Sequence, residues 1–388
     1  ALPMIFSNIT VPLLGLVDTA VIGHLDSPVY LGGVAVGATA TSFLFMLLLF
    51  LRMSTTGLTA QAWGAKDPQR LARALVQPLA LALGAGVLII LLRLPLIDLA
   101  LHIVGGSEAV LEQARRFLEI RWLSAPASLA NLVLLGWLLG VQYARAPVIL
   151  LVVGNLLNIV LDLWLVMGLR MNVQGAALAT VTAEYATLII GLLMAKRVLT
   201  LRGVSLAMLK NAWRGDLRRL LALNRDIMLR SLLLQLCFGA LTVFGARLGS
   251  DIVAVNAVLM TMLTFTAYAL DGFAYAVEAH SGQAYGARDG SQLLEVWRAA
   301  CRQSGMVALA FALIYSLAGQ YIIALLTSLP SLQQLADRYL IWQTILPVVG
   351  VWCYLLDGMF IGATRGAEMR NSICLVYASP SPRDTERA

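Results

Sequence analysis

Residues 61–67 read QAWGAKD, and residues 283–289 read QAYGARD, 222 positions further along the chain. The same offset, without a gap, pairs Gly23 with Gly245 and Gly136 with Gly358. A shared composition of apolar helices would not keep this register through polar loops. The sequence therefore predicts two homologous halves, each built from the same order of elements.

The composition is that of a membrane protein. Of the 388 residues, 60% are hydrophobic and 13% are charged, whereas soluble domains carry about 25% charged residues. Apolar runs of about 18 residues or more recur along the whole chain, which predicts an all-α polytopic membrane protein. The net charge of +7 does not indicate nucleic acid, because the basic residues concentrate in the loops between apolar runs.

Ten apolar runs are long enough to cross a bilayer, and a stub begins near Asn371. The predicted spans are residues 2–24, 30–57, 71–92, 117–141, 147–167, 175–194, 224–248, 252–278, 296–326 and 339–363. Residues 1–197 should form an N-terminal lobe of six transmembrane helices, and residues 198–222 a basic cytoplasmic linker. Residues 223–388 should form a C-terminal lobe of about four to five helices with a polar tail.

The loop charges orient the chain in the membrane. Seventeen basic residues fall in one set of alternate loops and six in the other, so the first set should be cytoplasmic, with the linker and the N-terminus. Two units of six spans share one membrane orientation. Such parallel repeats are related by an axis along the membrane normal, and transporters place the substrate cleft between them.

Asp18 lies in the stretch GLVDTAVIG, residues 15–23, inside the first apolar run, and is the only ionisable side chain before His24. A charged carboxylate at the bilayer centre costs about 2.5–3.5 kcal/mol, so such residues mark ion or substrate pathways. We therefore expect Asp18 to have a functional role. A hydrogen bond to a neighbouring helix is the structural alternative.

A polar stripe follows in the fifth span. Asn155, Asn158 and Asp162 are spaced i, i+3 and i+7, so they share one face of a helix that should point into the lobe. Contacts between helices could explain the asparagines but explain the aspartate poorly. Thr180 and Glu184, spaced i and i+4 on the sixth span, could complete this cluster.

The second lobe carries its own acidic candidates, Asp271, Glu278 and Asp357. Glu278 is near a cytoplasmic loop, where it could simply be solvated, and Asp357 is the better candidate for a cavity. At the repeat offset Asp18 falls on Ala240, so the lobes should differ in role. The four cysteines and three histidines are too scattered to predict a metal site or a disulfide.

Three motifs together resemble one family. The segments GLVDTAVIGHL around Asp18, QAWGAKD with its repeat QAYGARD, and NIVLD at residues 158–162 resemble the multidrug and toxic compound extrusion (MATE) family, in its DNA-damage-inducible (DinF) branch. The resemblance covers nearly the whole chain up to about Ser372.

The resemblance implies two six-helix lobes in the bacterial inner membrane. It also implies H⁺- or Na⁺-driven antiport of amphipathic, often cationic compounds by a monomer, with no cofactor besides the coupling ion. On the family pattern Asp18 is the coupling carboxylate, with Asn158, Asp162 and Thr180 as its partners. The family's proline bend in the first helix falls on Pro3, and Pro12 is a second possible kink.

The sequence leaves three alternatives to a drug antiporter. A lipid-linked oligosaccharide flippase of the same superfamily should carry several cavity arginines for pyrophosphate, and only Arg52 and Arg230 are candidates within spans. An inactive, C-terminally truncated fragment is a second alternative, because the polar tail SPSPRD at residues 379–384 replaces an expected span. A membrane-embedded enzyme is disfavoured because HExxH and GxSxG motifs are absent.

Overall fold

The computed structural model describes residues 21, 28–143, 145–212, 217–326 and 330–378, and every regular element in these ranges is helical. Asp18, Pro3 and Pro12 lie outside the described residues. Eight helices in the described part of the chain are long and apolar enough to cross a membrane. The predicted fold class, an all-α polytopic membrane protein, is confirmed.

The first half contributes eight of the described α-helices, together with a 3₁₀ turn at Trp122–Ser124 and a π-helical segment at Leu163–Gly168. The α-helices are α1 (Pro28–Leu47), α2 (Phe50–Gly64), α3 (Pro68–Leu91), α4 (Arg93–Val104), α5 (Glu108–Arg121), α6 (Ala125–Gly140), α7 (Arg145–Asp162) and α8 (Asn172–Leu201).

A short helix, α9 (Leu206–Asn211), connects the halves. The second half then contains α10 (Leu217–Leu248), α11 (Ser250–Gly286), α12 (Gly290–Leu326), α13 (Pro330–Gly362) and α14 (Gly366–Ala378). Helix α8 runs past residue 198, because Val198 and Leu199 are buried against the core of the first half. The lobe boundaries at residues 197 and 222 stay a prediction.

The helix ends repeat with the period seen in the sequence. The pairs Pro28 and Ser250, Gly64 and Gly286, Pro68 and Gly290, Val104 and Leu326, Glu108 and Pro330, and Gly140 and Gly362 are each 222 residues apart. Turn conformation repeats as well, since Lys66 and Arg288 adopt φ angles of 53° and 56°. The described backbone therefore consists of two halves with the same order of helices and turns.

Local sequence explains why the helices after these turns begin where they do. The Asp67 carboxylate accepts hydrogen bonds from the backbone N–H groups of Gln69 and Arg70, at 3.1 and 3.3 Å, and Pro68 occupies the first turn of α3. Asp289 likewise accepts from the Gln292 N–H at 3.1 Å at the start of α12. These caps satisfy backbone donors that have no partner within the helix.

Glycines set the packing inside each half. A Cβ atom on Gly136 of α6 would collide with the carbonyl oxygen of Arg52 on α2, and one on Gly358 of α13 would collide with the carbonyl oxygen of Ala274 on α11. The two contacts are equivalent under the 222-residue repeat. Small residues allow this close backbone approach, which is how membrane helices associate when lipid gives no hydrophobic driving force.

The two halves meet through α2 and α11, at the ends predicted to be cytoplasmic. A Cβ atom on Gly64 would collide with the carbonyl oxygen of Gln283, and one on Gly286 would collide with that of Gln61. The Gln61 amide donates to Thr364 Oγ1 at 3.1 Å, and the Gln142 amide donates to Gln283 Oε1 at 2.5 Å. Both sets of contacts are reciprocal under the repeat, as a two-fold axis between the halves requires.

The α2–α11 crossing gives a stability prediction. Gly64→Ala should destabilise the protein by about 1–3 kcal/mol, the usual cost of overpacking a well-packed site, because its new methyl group meets the Gln283 backbone. Thermal unfolding of the purified protein in detergent measures this as a lower Tm.

Gly84→Ala in α3 is the matched control, because a Cβ atom there meets nothing within 4 Å. It should leave the Tm unchanged or raise it slightly, since Ala favours helix over Gly. Equal Tm values for the two variants would contradict a close contact at Gly64.

Candidate functional site

A polar cavity of about 300 Å³ opens inside the first half, between α6, α7 and α8. Asn131 of α6, Asn155 and Asn158 of α7, and Thr180 and Glu184 of α8 line it. The structure thus brings four of the sequence-predicted side chains to one cavity. Their functional role stays a prediction.

Asn158 and Asp162 occupy the buried side of α7, with exposed fractions of 3% and 1%. The Asn158 amide donates a hydrogen bond to Thr180 Oγ1 at 3.3 Å, and Thr180 in turn donates to the carbonyl oxygen of Ala176. This connection joins α7 to α8. Asp162 lies one helical turn beyond Asn158 on the same face, as the i, i+4 spacing requires.

The α-helix α7 ends at Asp162 and continues as the π-helical segment Leu163–Gly168. Segments of this kind inside α-helices occur frequently at functional sites, because the widened turn displaces the helix backbone. No feature of the sequence indicated this segment, since residues 147–167 form one uninterrupted apolar span apart from the polar stripe.

Glu184 is held by two residues that the sequence analysis missed. The Asn131 amide donates to the Glu184 backbone oxygen at 3.1 Å and to its carboxylate at 3.2 Å. The Arg121 guanidinium lies 3.9 Å from the Glu184 carboxylate and 5.4 Å from the centre of the Phe45 ring. An amide inside the apolar fourth span was the signal that could have identified Asn131.

A second polar cluster lies where the halves meet. Arg52 of α2 and Glu278 of α11 form an ion pair of 3.1 Å in which both side chains are only 2% exposed. The Arg52 guanidinium also lies 4.4 Å from the centre of the Tyr275 ring. The interpretation of Glu278 as a solvated residue is therefore wrong. It is buried because α2 covers it, and Arg52 supplies the charge that compensates it.

The other acidic candidates of the second half join the same cluster. Arg230 of α10 pairs with Asp357 of α13 at 2.8 Å. Asp271 lies within electrostatic reach of Arg52, Arg230, Asp357 and Glu278. Two arginines thus face three carboxylates, and the cluster carries one excess negative charge when all three carboxylates are ionised. Protonation of one carboxylate would make this cluster neutral.

These five residues, the interface cluster, have no counterpart at the positions related by the repeat. At the 222-residue offset Arg52 corresponds to Ala274, and Glu278 corresponds to Thr56. The Arg52–Glu278 ion pair is therefore a feature in which the two halves differ. Within the described residues, no group of three or more His, Cys, Asp or Glu side chains could hold a metal ion.

Comparison with known proteins identifies the family. The MatE family model matches residues 3–164 and 227–369, more than half of the chain. The chain belongs to the MatE family. This confirms the resemblance read from the motifs, and the family is one of transporters. With eight membrane-length helices in the part of the chain that the structure describes, it is a multi-pass protein of the bacterial inner membrane.

Individual MatE-family relatives agree with this assignment. DNA damage-inducible protein F of Escherichia coli is 87% identical over 378 residues, which cover 97% of this chain and 82% of that protein. The probable multidrug resistance protein NorM of Acinetobacter baylyi is 22% identical, with 90% of this chain and 79% of that protein covered. The crystal structure of MATE in the straight conformation shares the fold, with a TM-score of 0.85, 23% identity, and coverage of 96% and 83%.

The buried Arg52–Glu278 pair gives the second prediction. Arg52→Met should destabilise the protein by about 3–5 kcal/mol, because it leaves the Glu278 carboxylate buried without its compensating charge. The double variant Arg52→Met/Glu278→Gln should recover most of this loss. Thermal unfolding of the purified protein in detergent measures both changes.

Arg116→Met is the control, because its ion pair with Glu112 is exposed on both sides and should contribute little. Its Tm should match that of the wild type. The single variant Glu278→Gln completes the cycle. If the effects of Arg52→Met and Glu278→Gln on stability simply add in the double variant, the two residues are not energetically coupled, which would contradict the ion pair.

Proposed function

We propose that this chain exports small amphipathic compounds, often cationic, in exchange for H⁺ or Na⁺. Export proceeds by alternating access, in which the two halves rock about a cleft between them. The coupling ion is the only cofactor that this proposal requires. The protein acts as a monomer in the lipid bilayer, without enzymatic chemistry and without nucleic acid.

The polar cavity of the first half is the observation that carries the proposal. Its volume of about 300 Å³ falls at the lower end of the range of small-molecule sites. Leu132, Leu135, Leu150 and Leu151 line it beside the amides and Glu184. Arg121 also lines the cavity, 3.9 Å from the Glu184 carboxylate, so its apolar walls carry a paired acid and base and suit an amphipathic molecule.

We assign the coupling of ion movement to export to the first half as well. Asp162 is buried in a helix that is long and apolar enough to cross a membrane, where an ionisable side chain is expensive and marks ion pathways. Asn158, one helical turn away, and Thr180, hydrogen-bonded to Asn158 at 3.3 Å, carry amide and hydroxyl oxygens, which can bind Na⁺ or a protonated carboxyl. Asp18 remains the predicted coupling carboxylate on the family pattern, with these three residues as its partners.

The interface cluster offers an additional place for a proton. Asp271, Glu278 and Asp357 exceed the neighbouring arginines by one charge, so uptake of one proton would neutralise the cluster. Because Arg52 belongs to the first half and Glu278 to the second, a change of charge here would act directly on the contact between the halves. Such a change could therefore link ion binding to the rocking movement.

The arginines argue against a flippase that binds lipid-linked pyrophosphate. Arg52 and Arg230, the two candidates predicted within the spans, are each paired with a carboxylate. A guanidinium already compensated in this way is a poor receptor for a doubly charged phosphate group. The drug antiporter is therefore the better supported of the two functions.

Export assays in inverted membrane vesicles test the proposal. Under an imposed pH or Na⁺ gradient, a fluorescent amphipathic cation should be transported by the wild type, while Asp162→Asn and Asp18→Asn should lose gradient-driven transport. The reason is that an amide at either position cannot exchange a proton or supply the negative charge that holds Na⁺.

Asp98→Asn is the matched control, because Asp98 is an exposed acid paired with Arg115 outside the cavity. It should transport at the wild-type rate. Membrane levels of all variants are compared by immunoblot. Wild-type transport by Asp162→Asn at an equal membrane level would remove Asp162 from the coupling mechanism.

A further inference from the structure

Two helix ends beside the crossing of α2 and α11 carry residues in an unfavourable backbone conformation. Gln142, just after α6, and Thr364, just after α13, adopt φ angles of 61° and 57°. The two positions are equivalent under the 222-residue repeat. Glycine is the usual residue at such a helix end, because other residues are strained at positive φ, and a β-branched residue such as threonine is an outlier there.

The way in which each helix ends accounts for the φ angle. The Gln142 N–H donates to the carbonyl oxygen of Leu139 at 3.0 Å, and the Tyr143 N–H donates to that of Leu138 at 3.1 Å. Thr364 and the residue after it make the same two bonds at the end of α13, at 3.0 and 2.9 Å. This Schellman arrangement needs one left-handed residue but no side chain on it. The local structure therefore does not explain why glutamine and threonine are present instead of glycine.

The side chains of both residues reach the opposite half. The Gln142 amide donates to Gln283 Oε1 of α11 at 2.5 Å. The Thr364 hydroxyl accepts hydrogen bonds from the Gln61 amide of α2 and from the Arg219 guanidinium of α10, each at 3.1 Å. Both acceptor positions of the hydroxyl are thus used. Glycine at either position would relieve the backbone and remove these bonds, so the strain accompanies a contact between the halves.

Two other turns have the same backbone but no such contact. Lys66, just after α2, and Arg288, just after α11, have φ angles of 53° and 56° and the same pair of backbone bonds. Within the described ranges, neither side chain is hydrogen-bonded to the opposite half. A left-handed residue at a helix end is therefore not enough to join the halves, and what sets Gln142 and Thr364 apart is the partner of each side chain.

We propose that Gln142 and Thr364 are the two latches of a cytoplasmic gate, and that their side chains set how often the cytoplasmic ends of the halves separate. This inference rests on the alternating access proposed above. Residues held in strained conformations occur at switch regions, where the surrounding contacts keep them in place. The two latch bonds are only partly buried and have the modest net strength of ordinary hydrogen bonds. Water can therefore replace them each time the gate opens.

Cysteine labelling from the cytoplasmic side measures the opening of this gate. Ser54 of α2 is 1% exposed and is hydrogen-bonded to Asn224 of α10 at 2.5 Å, so it is buried between the halves. Ser54→Cys, in protein whose four cysteines are replaced by serine, is therefore a reporter of their separation. Inverted vesicles present the cytoplasmic face to a membrane-impermeant maleimide. When opening and closing are fast relative to labelling, the labelling rate follows the open population.

Removing either latch should make the gate open more often. Thr364→Val and Gln142→Gly should each raise the labelling rate about 2- to 10-fold, the factor that corresponds to one hydrogen bond of ordinary net strength. Thr364→Ser should label at the rate of the reporter alone, because it keeps the hydroxyl group. Lys66→Gly is the matched control for Gln142→Gly, since it changes a turn of similar φ without a bond to the other half, and it should leave the rate unchanged.

The possible outcomes separate the latches from the movement that they control. Equal labelling rates in the reporter alone, Thr364→Val and Gln142→Gly would overturn the latches but leave alternating access in place. An equal increase in Lys66→Gly and Thr364→Ser would show a general loosening of the turns, and would overturn the specific role of the amide and the hydroxyl. A reporter that is not labelled in any variant would contradict opening on the cytoplasmic side, and with it both the latches and the proposed alternating access.

Discussion

The close approach of α2 and α11 is the contact on which the arrangement of the two halves depends. Lipid offers no hydrophobic force between helices, so membrane helices are held by close packing and by hydrogen bonds. Gly64 and Gly286 permit backbone contact at this crossing, and Gln61 and Gln283 add hydrogen bonds beside it. Deeper in the same pair of helices, the buried ion pair of Arg52 and Glu278 satisfies two charges that neither half could compensate in this way alone.

The polar sites that we associate with function differ between the two otherwise similar halves. The 222-residue repeat reproduces helix ends, turn conformations and glycine contacts, but it does not reproduce the polar groups of the first-half cavity or of the interface cluster. The first half holds the cavity lined by Asn155, Asn158 and Thr180, and the second half holds most of the interface charge cluster.

The sequence predicted the parts of the structure that depend on local pattern. The repeat could be recognised because QAWGAKD and QAYGARD each contain the turn and the aspartate that caps the next helix. The contact between Asn158 and Thr180 could be predicted because each residue lies on the polar face of one of two neighbouring spans. The partner of Glu278 was not predictable, because Arg52 is 226 residues away and the contact exists only after the halves assemble. Asp18 lies outside the described residues, so its role still rests on its position in an apolar span and on the family pattern.

The central claim is that the cytoplasmic contact between the halves must open during each export cycle, and cross-linking tests it most directly. After the four cysteines are replaced by serine, Gln142→Cys and Gln283→Cys introduce a pair at positions whose side-chain ends are hydrogen-bonded at 2.5 Å, and a short bifunctional thiol reagent spans the space of the two lost amides. We predict that cross-linking by this reagent stops export by the double variant, that reduction of its disulfides restores export, and that neither single variant responds. Export at an unchanged rate by fully cross-linked protein would contradict the account.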